Sequence, residues 1–104
     1  MKILKFGGTS IADDFCINNI IDIVKNETKC VVVVSAISDV TNLLNNCIIK
    51  CVEGNSKIKS EIDEISKKHT HIIAQFIPKK NEAELINLIT DSLKKQETLL
   101  EGIC

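Results

Sequence analysis

The chain has 104 residues, 44% of them hydrophobic, which is enough for one modest core and indicates one domain or part of one. Its 13 basic and 14 acidic residues nearly cancel, so the net charge gives no electrostatic basis for binding nucleic acid or an anionic membrane surface. No apolar run approaches the about 20 residues that span a bilayer, and no signal-peptide layout follows Met1, so we expect a cytoplasmic location.

The first predicted elements are a short strand and a helix joined by a loop. Met1 to Phe6 is apolar and basic and is followed by two glycines, which is typical of a strand that ends in a loop. After the loop, Asp13 or Asp14 is suited to cap a helix. The apolar positions of that helix recur at helical spacing: Ile17, Ile20, Ile21 and Val24.

A second strand and a second helix follow. Cys30 to Val34 is a β-branched run without polar alternation, which is typical of a strand covered on both faces in a parallel sheet. Strand, helix and strand therefore predict a parallel βαβ unit. The apolar face of the next helix, which ends near Gly54, holds these residues: Leu43, Leu44, Cys47, Ile48 and Cys51.

The rest of the chain predicts two long amphipathic helices. From Asn55 to Pro78, one apolar stripe recurs in steps of three and four: Ile58, Ile62, Ile65, His69, Ile72 and Phe76. Asn81 and Glu84 have the spacing of a capping box, and the last helix runs to about Gly102. We therefore divide the chain into a βαβα part, residues 1–54, and a helical part, residues 55–104.

The cysteines and histidines raise two alternatives to an ordinary hydrophobic core, a disulfide framework and a metal site. The chain has five cysteines and no CxxC pair, so we expect no disulfide framework. Cys47 and Cys51 lie one turn apart and would serve either as small buried hydrophobes or as a metal clamp, and we favour the former. His69, on the apolar stripe, is read as a core-edge residue, and we predict no metal site.

Two loops hold the candidate functional residues, because each follows a predicted strand where an open α/β sheet collects its ligands. In the loop from Lys5 to Ser10, Gly7 and Gly8 leave their amides accessible to a phosphate, and Thr9 and Ser10 add hydroxyl donors near a helix N-terminus. Lys5 supplies a positive charge, which suits phosphoryl transfer.

Spacing alone leaves that assignment open. Lys5 precedes the glycines, so the loop is neither a Walker P-loop nor GxGxxG, and a Gly-Gly pair is equally consistent with a plain tight turn. The second loop favours the binding site, since it places Ser35 and Thr41 where hydroxyls for an acceptor are expected. Asp39 in the same loop suits either a cation or a helix cap, and we favour the cap.

Together these loops resemble the aspartokinase branch of the amino acid kinase family. The resemblance rests on KFGGTS at the N-terminus and on VVVVSAISDVTNLL from Val31 to Leu44, and it extends loosely over the helical part to the closing LLEGIC. It implies the N-terminal part of an αβα sandwich. Bifunctional aspartokinase–homoserine dehydrogenases resemble the chain as closely as the monofunctional enzymes do.

The resemblance also implies an activity and site residues. The family transfers the γ-phosphate of ATP to the side-chain carboxylate of L-aspartate with Mg²⁺, at the entry to lysine, threonine and methionine biosynthesis. By position, Lys5 would contact the transferred phosphate, Gly7 and Gly8 would donate amides to ATP, and Thr9 and Ser10 would support them. Ser35 and Thr41 would bind or border aspartate.

Two departures from the family limit what this chain is expected to do alone. Asp39 stands where the family most often has glycine, which adds a negative charge near an anionic substrate. The family's nucleotide-binding half is not among these residues, so we expect the isolated chain to be inactive. The alternative is a non-catalytic or split module that associates with a second copy or with the remainder of a kinase.

Overall fold

The computed structural model describes residues 1–7, 11 and 13–103, and its strands and helices follow the predicted order. The elements are β1 (Lys2–Phe6), α1 (Asp14–Lys25), β2 (Cys30–Val34), α2 (Val40–Val52), α3 (Lys59–Phe76) and α4 (Lys79–Ile103). They form two compact units, a sheet unit of Met1–Asp39 and a helical unit of Val40–Cys104. The fold is mixed α/β and mostly helical.

The sheet of the sheet unit is parallel, as predicted for a βαβ unit. β1 pairs with β2 in a register that matches Lys2 with Cys30 and Phe6 with Val34. Backbone bonds extend the ladder at both ends, from Lys2 N–H to Lys29 O at 3.4 Å and from Ser35 N–H to Phe6 O at 3.1 Å. Both strands therefore end at the same edge of the sheet.

A carboxylate fixes the start of α1. Asp13 Oδ1 accepts a hydrogen bond from Cys16 N–H at 2.9 Å, which makes Asp13 the cap among the two candidates. The same hydrogen bond holds the pKa of Asp13 below its ordinary value. On the helix, Ile17, Ile20 and Val24 are half-buried, whereas Ile21 is exposed.

The predicted burial of β2 on both faces is wrong for this structure. Its valines, Val31 to Val34, keep 40% to 57% of their surface exposed. The sheet has two strands within the described residues, so few neighbouring elements are available to cover the faces of β2. The β-branched run still forms the strand, because backbone pairing with β1 does not require a covered face.

The core of the helical unit joins α2 to both later helices. α2 packs on α3 and on α4. The buried cluster consists of Cys47, Cys51, Ile58, Ile62 and Leu100, with Leu93 packed against it. Cys47 is a buried free thiol, as expected, and burial raises its pKa. Cys51 is buried and disulfide-bonded, which differs from the expected reduced state.

A glycine ends α2 in a Schellman motif. Gly54 has a φ of 81°, a left-handed conformation that glycine adopts without steric cost. Gly54 N–H donates to Cys51 O at 3.0 Å, and Asn55 N–H donates to Lys50 O at 2.8 Å. Asn55 Oδ1 also accepts from Lys57 N–H at 2.9 Å. This local turn delays the next helix, which begins at Lys59 instead of Asn55.

The last helix also begins elsewhere than predicted. α4 starts at Lys79, and Asn81 N–H donates to Pro78 O at 2.9 Å, so Asn81 lies inside the first turn. The predicted capping box is therefore wrong. His69 fits its core-edge assignment, since its Nδ1 lies 2.7 Å from Ile65 O one turn earlier.

An ion pair ties α2 to the first turn of α3. Lys50 Nζ donates to Glu61 Oε1 and also lies 3.3 Å from Lys57 O. The Glu61 side chain is only 12% exposed, so water screens this pair less than a surface pair. The hydrogen bond from Lys50 holds the pKa of Glu61 below its ordinary value.

The Glu61 pair predicts a pH-dependent contribution to stability. Because the pKa of Glu61 is lowered in the folded state, its contribution is complete above the ordinary carboxyl pKa and is lost as the pH falls through the lowered value. Glu61→Gln should therefore lower the melting temperature at neutral pH, by an amount that shrinks on acidification. Circular dichroism melts across that range measure this. Glu64→Gln, at an exposed position of α3, is the control and should change little.

Candidate functional site

The site is built at the edge of the sheet where β1 and β2 both end. Lys5 pairs with Val33 in the ladder, and Phe6 pairs with Val34. Because Ser35 N–H bonds to Phe6 O, the backbone of Ser35 lies directly beside the end of β1. The structure thus brings Lys5, Gly7 and Ser35, from two distant parts of the sequence, to one edge.

The lysine of this edge is accessible to a ligand. Lys5 is exposed, and side chains alternate along a strand, so it lies on the same face of β1 as Ile3 and on the opposite face from the buried Phe6. An exposed ammonium group on a strand end can neutralise a phosphate of a bound nucleotide. It is a point charge with a flexible stem, so it needs neighbouring donors to fix the ligand.

The glycine beside it leaves open space. A Cβ built on Gly7 meets nothing within 4 Å, so a phosphate oxygen has room to approach the backbone there. The same observation means that packing does not demand glycine at this position. Gly8, Thr9 and Ser10, the other predicted donors of the loop, lie outside the described residues.

Sequence reasoning named Asp13 as a candidate cap but did not consider the negative charge that this cap adds at the N-terminus of α1. Its carboxylate, which the low pKa keeps ionised, already occupies the N-terminus of α1 by bonding to Cys16 N–H. A phosphate near this helix end would meet that negative charge. Lys5 is therefore the main favourable charge of the site among the described residues, and the helix end adds less than we expected.

Asp39, where the resembled family has glycine, has a left-handed backbone. Its φ is 71°, and no other described non-glycine residue has a positive φ. N-cap residues usually have extended backbone, so this geometry differs from that of an ordinary cap. Glycine adopts this conformation without steric cost, and aspartate is among the other residues that tolerate it best.

Replacing Asp39 tests this conformation. A left-handed backbone costs a non-glycine residue about 1 to 2 kcal/mol of stability. Glycine avoids this cost but loses roughly 0.4 to 1 kcal/mol of stability, because its unfolded chain has more conformational freedom. Asp39→Gly should therefore keep a higher urea midpoint than Asp39→Ala, because both variants lose the carboxylate and alanine tolerates positive φ less well. A glycine variant with a midpoint at or below that of the alanine variant would contradict the assigned backbone.

Ser35 and Thr41, the predicted acceptor residues, lie in different units. Ser35 is exposed and follows β2, beside the end of β1. Thr41 is exposed in the first turn of α2, in the helical unit. The structure therefore supports the grouping of Ser35 with Lys5 and Gly7, and Thr41 remains a prediction.

Among the described residues, no group of three His, Cys, Asp or Glu side chains is arranged to hold a metal ion. No helix in the described part of the chain is long and apolar enough to cross a membrane.

Comparison with known proteins adds no relative. No protein-family model, curated protein or solved structure matches this chain. The geometry of the strand ends and the resemblance of the two loops therefore carry the functional argument.

Proposed function

We propose that this chain is the N-terminal part of an aspartate kinase, a cytoplasmic enzyme that phosphorylates the side-chain carboxylate of L-aspartate with ATP and Mg²⁺. The observation that carries the proposal is the register of β1 and β2. It sets Lys5 and Phe6 beside Val33 and Val34, with Ser35 bonded to Phe6, and these residues belong to the two segments that resemble the kinase.

The chemistry of phosphoryl transfer suits such an edge. Little covalent help is needed, and most of the rate comes from positioning the two substrates and neutralising charge on the transferred group. Lys5 would neutralise that charge, and the amide of Gly7 would hold a phosphate oxygen in the open space beside it. Ser35, on the neighbouring strand end, would orient the acceptor carboxylate.

Bound ATP would supply the phosphoryl group. The remaining hydrogen-bond donors of the site are proposed from the resemblance. Gly8, Thr9 and Ser10 would complete the phosphate loop, and Thr41 would border aspartate. Mg²⁺ usually reaches such sites on the nucleotide phosphates with only one or two carboxylates from the protein, so it requires no dedicated cluster in this part of the enzyme.

The chain by itself offers a direct test. Calorimetric titration with ATP and Mg²⁺ should show weak binding, and assays of ADP release should show no aspartate-dependent turnover. The αβα sandwich of a complete kinase, with its nucleotide half, would restore turnover. Absence of ATP binding under every condition would contradict the phosphate-loop assignment, and turnover by the isolated chain would contradict its expected inactivity.

A second function of a different class is favoured by the exposed apolar surface. Ile3 and Phe15 are 72% and 73% exposed, and the valines of β2 add to the uncovered surface of the sheet unit. Large exposed apolar patches mark interaction surfaces. The alternative is therefore a non-catalytic module that retains the kinase-like front end and works by associating with another chain. It predicts association without ATP binding.

A further inference from the structure

Cys51, near the end of α2, differs from the other cysteines of the described residues in being disulfide-bonded. Cys16, Cys30 and Cys47 are free thiols. The chain has five cysteines, so Cys104 is the partner that remains for Cys51 within one chain. Cys104 itself lies outside the described residues, and it is identified by elimination and by its place in the sequence.

Helix geometry also excludes Cys47, the nearest cysteine in the sequence, as the partner. Cys47 and Cys51 lie four residues apart on α2, a spacing at which Cβ atoms are about 5 to 6 Å apart. A disulfide needs Cβ atoms roughly 3.5 to 4.5 Å apart, so these two thiols cannot bond without unwinding the helix. Cys47 is 0% exposed, and burial raises the pKa of its thiol, so little thiolate is present to attack the Cys51 bond.

Packing in the helical unit brings the end of α4 to Cys51. α2 packs on α4, and Leu100 of α4 is buried in the same cluster as Cys51. α4 ends at Ile103, and position 104 follows Leu100 by four residues, the spacing of neighbours on one helix face. This spacing favours Cys104 as the partner of Cys51.

We propose that Cys51 and Cys104 form a reversible disulfide that joins the end of α4 to α2 and makes the stability of the helical unit depend on the thiol redox state. The bond closes a loop that contains α3 and α4, and closing a long loop lowers the entropy of the unfolded chain. In the reduced chain, Leu93 and Leu100 still pack against the cluster, but without this constraint. Disulfides in a reducing compartment are mostly transient, which suits a bond that opens and closes.

Closure of the bond needs an oxidant, and a small disulfide such as oxidised glutathione supplies it. One cysteine thiolate attacks the small disulfide, forms a mixed disulfide and releases the first small thiol. The other cysteine thiolate then attacks the protein sulfur of the mixed disulfide and releases the second. Two cysteine thiols are thereby oxidised to one disulfide, and their two protons end on the two small thiols.

Peptide mapping of the whole chain tests the pairing. The chain is equilibrated with oxidised or with reduced glutathione, its free thiols are alkylated, and it is digested with trypsin without reduction. Cleavage after Lys50 separates Cys47 from Cys51. The oxidised sample should contain peptides joined through Cys51 and Cys104, and the reduced sample should contain both cysteines alkylated. A bond from Cys51 to any other cysteine or to another molecule, or no bond, would overturn the proposal.

The melting temperature tests the consequence for stability. Because the bond closes a long loop, the oxidised chain should melt on the order of 10 °C or more above the reduced chain. Cys104→Ser and Cys51→Ala should each abolish this difference. Cys47→Ala removes a buried thiol from the same helix and is the matched control, which should keep the difference. The readout is the difference between the two buffers, so a loss of stability common to both cancels.

The remaining outcomes also decide the proposal. If Cys51→Ala fails to fold, Cys104→Ser gives the same comparison without a change inside the buried cluster. A linked chain that melts at the temperature of the reduced chain would overturn redox-dependent stability, and so would a difference that persists in Cys104→Ser. No nucleotide enters these measurements, so their result is independent of the proposed kinase function.

Discussion

Replacing Lys5 with alanine is expected to lower the kcat of the proposed kinase by on the order of a hundredfold or more. The ammonium group would stabilise charge that develops on the transferred phosphoryl group, so its loss acts mainly in the transition state and should affect KM less. Steady-state assays of aspartate-dependent ADP formation measure both constants. A kcat within about twofold of wild type would remove Lys5 from the proposed mechanism.

Lys2 provides a matched control for Lys5. It is a second exposed lysine on β1, at the other end of the strand, and its Nζ lies 3.2 Å from Glu27 Oε1. An exposed ion pair of this kind contributes at most about 1 kcal/mol to stability. Lys2→Ala should therefore leave kcat unchanged, and equal losses in the two variants would indicate damage to the strand rather than to a phosphate contact.

Ile58→Ala should destabilise the helical unit by about 2 to 5 kcal/mol, because it removes a side chain from the centre of the core. Ile58 is 1% exposed and packs with Cys47, Cys51 and Leu100. It precedes α3, so the change does not alter the helix interior. Urea titration followed by helical circular dichroism measures the loss of stability.

Ile49 is the control for this core position. It lies on α2 and is 54% exposed, so Ile49→Ala removes the same atoms from a site that is mostly in water. Its midpoint should stay close to that of wild type. If both substitutions lowered the free energy of unfolding equally, the result would contradict the assigned difference in burial between Ile58 and Ile49.

The order of the elements could be predicted because the chain marks its boundaries clearly. Glycine after the first strand, Gly54 after α2 and Pro78 before α4 each interrupt a regular apolar pattern. The core side of α2 also followed from spacing, since Leu43, Cys47 and Cys51 are buried. The predicted apolar face was too wide, however, because Ile48 remains 48% exposed. Apolar spacing does not show how many residues of a stripe contact a neighbouring element.

The errors have local and non-local causes. Asn55 and Gly54 form a turn with specific hydrogen bonds, and this moved the start of α3 beyond what its apolar stripe indicated. The burial of β2 depends on elements other than β2, so a valine run predicts a strand but not its cover. For the candidate site, the juxtaposition of Lys5 and Ser35 was predictable from two strands in a parallel sheet. The capping role was predicted for Asp13 or Asp14, and the structure assigns it to Asp13.

The uncharged sequence of β2, CVVVV, matters while the chain is being made. Synthesis proceeds from the N-terminus, so Cys30 to Val34 is complete before α4 has been translated. During that interval the strand has β1 as its available intramolecular partner, and its other edge faces neighbouring nascent chains. Cells that produce this protein rapidly should therefore accumulate it in inclusion bodies, and slower translation should favour the folded product.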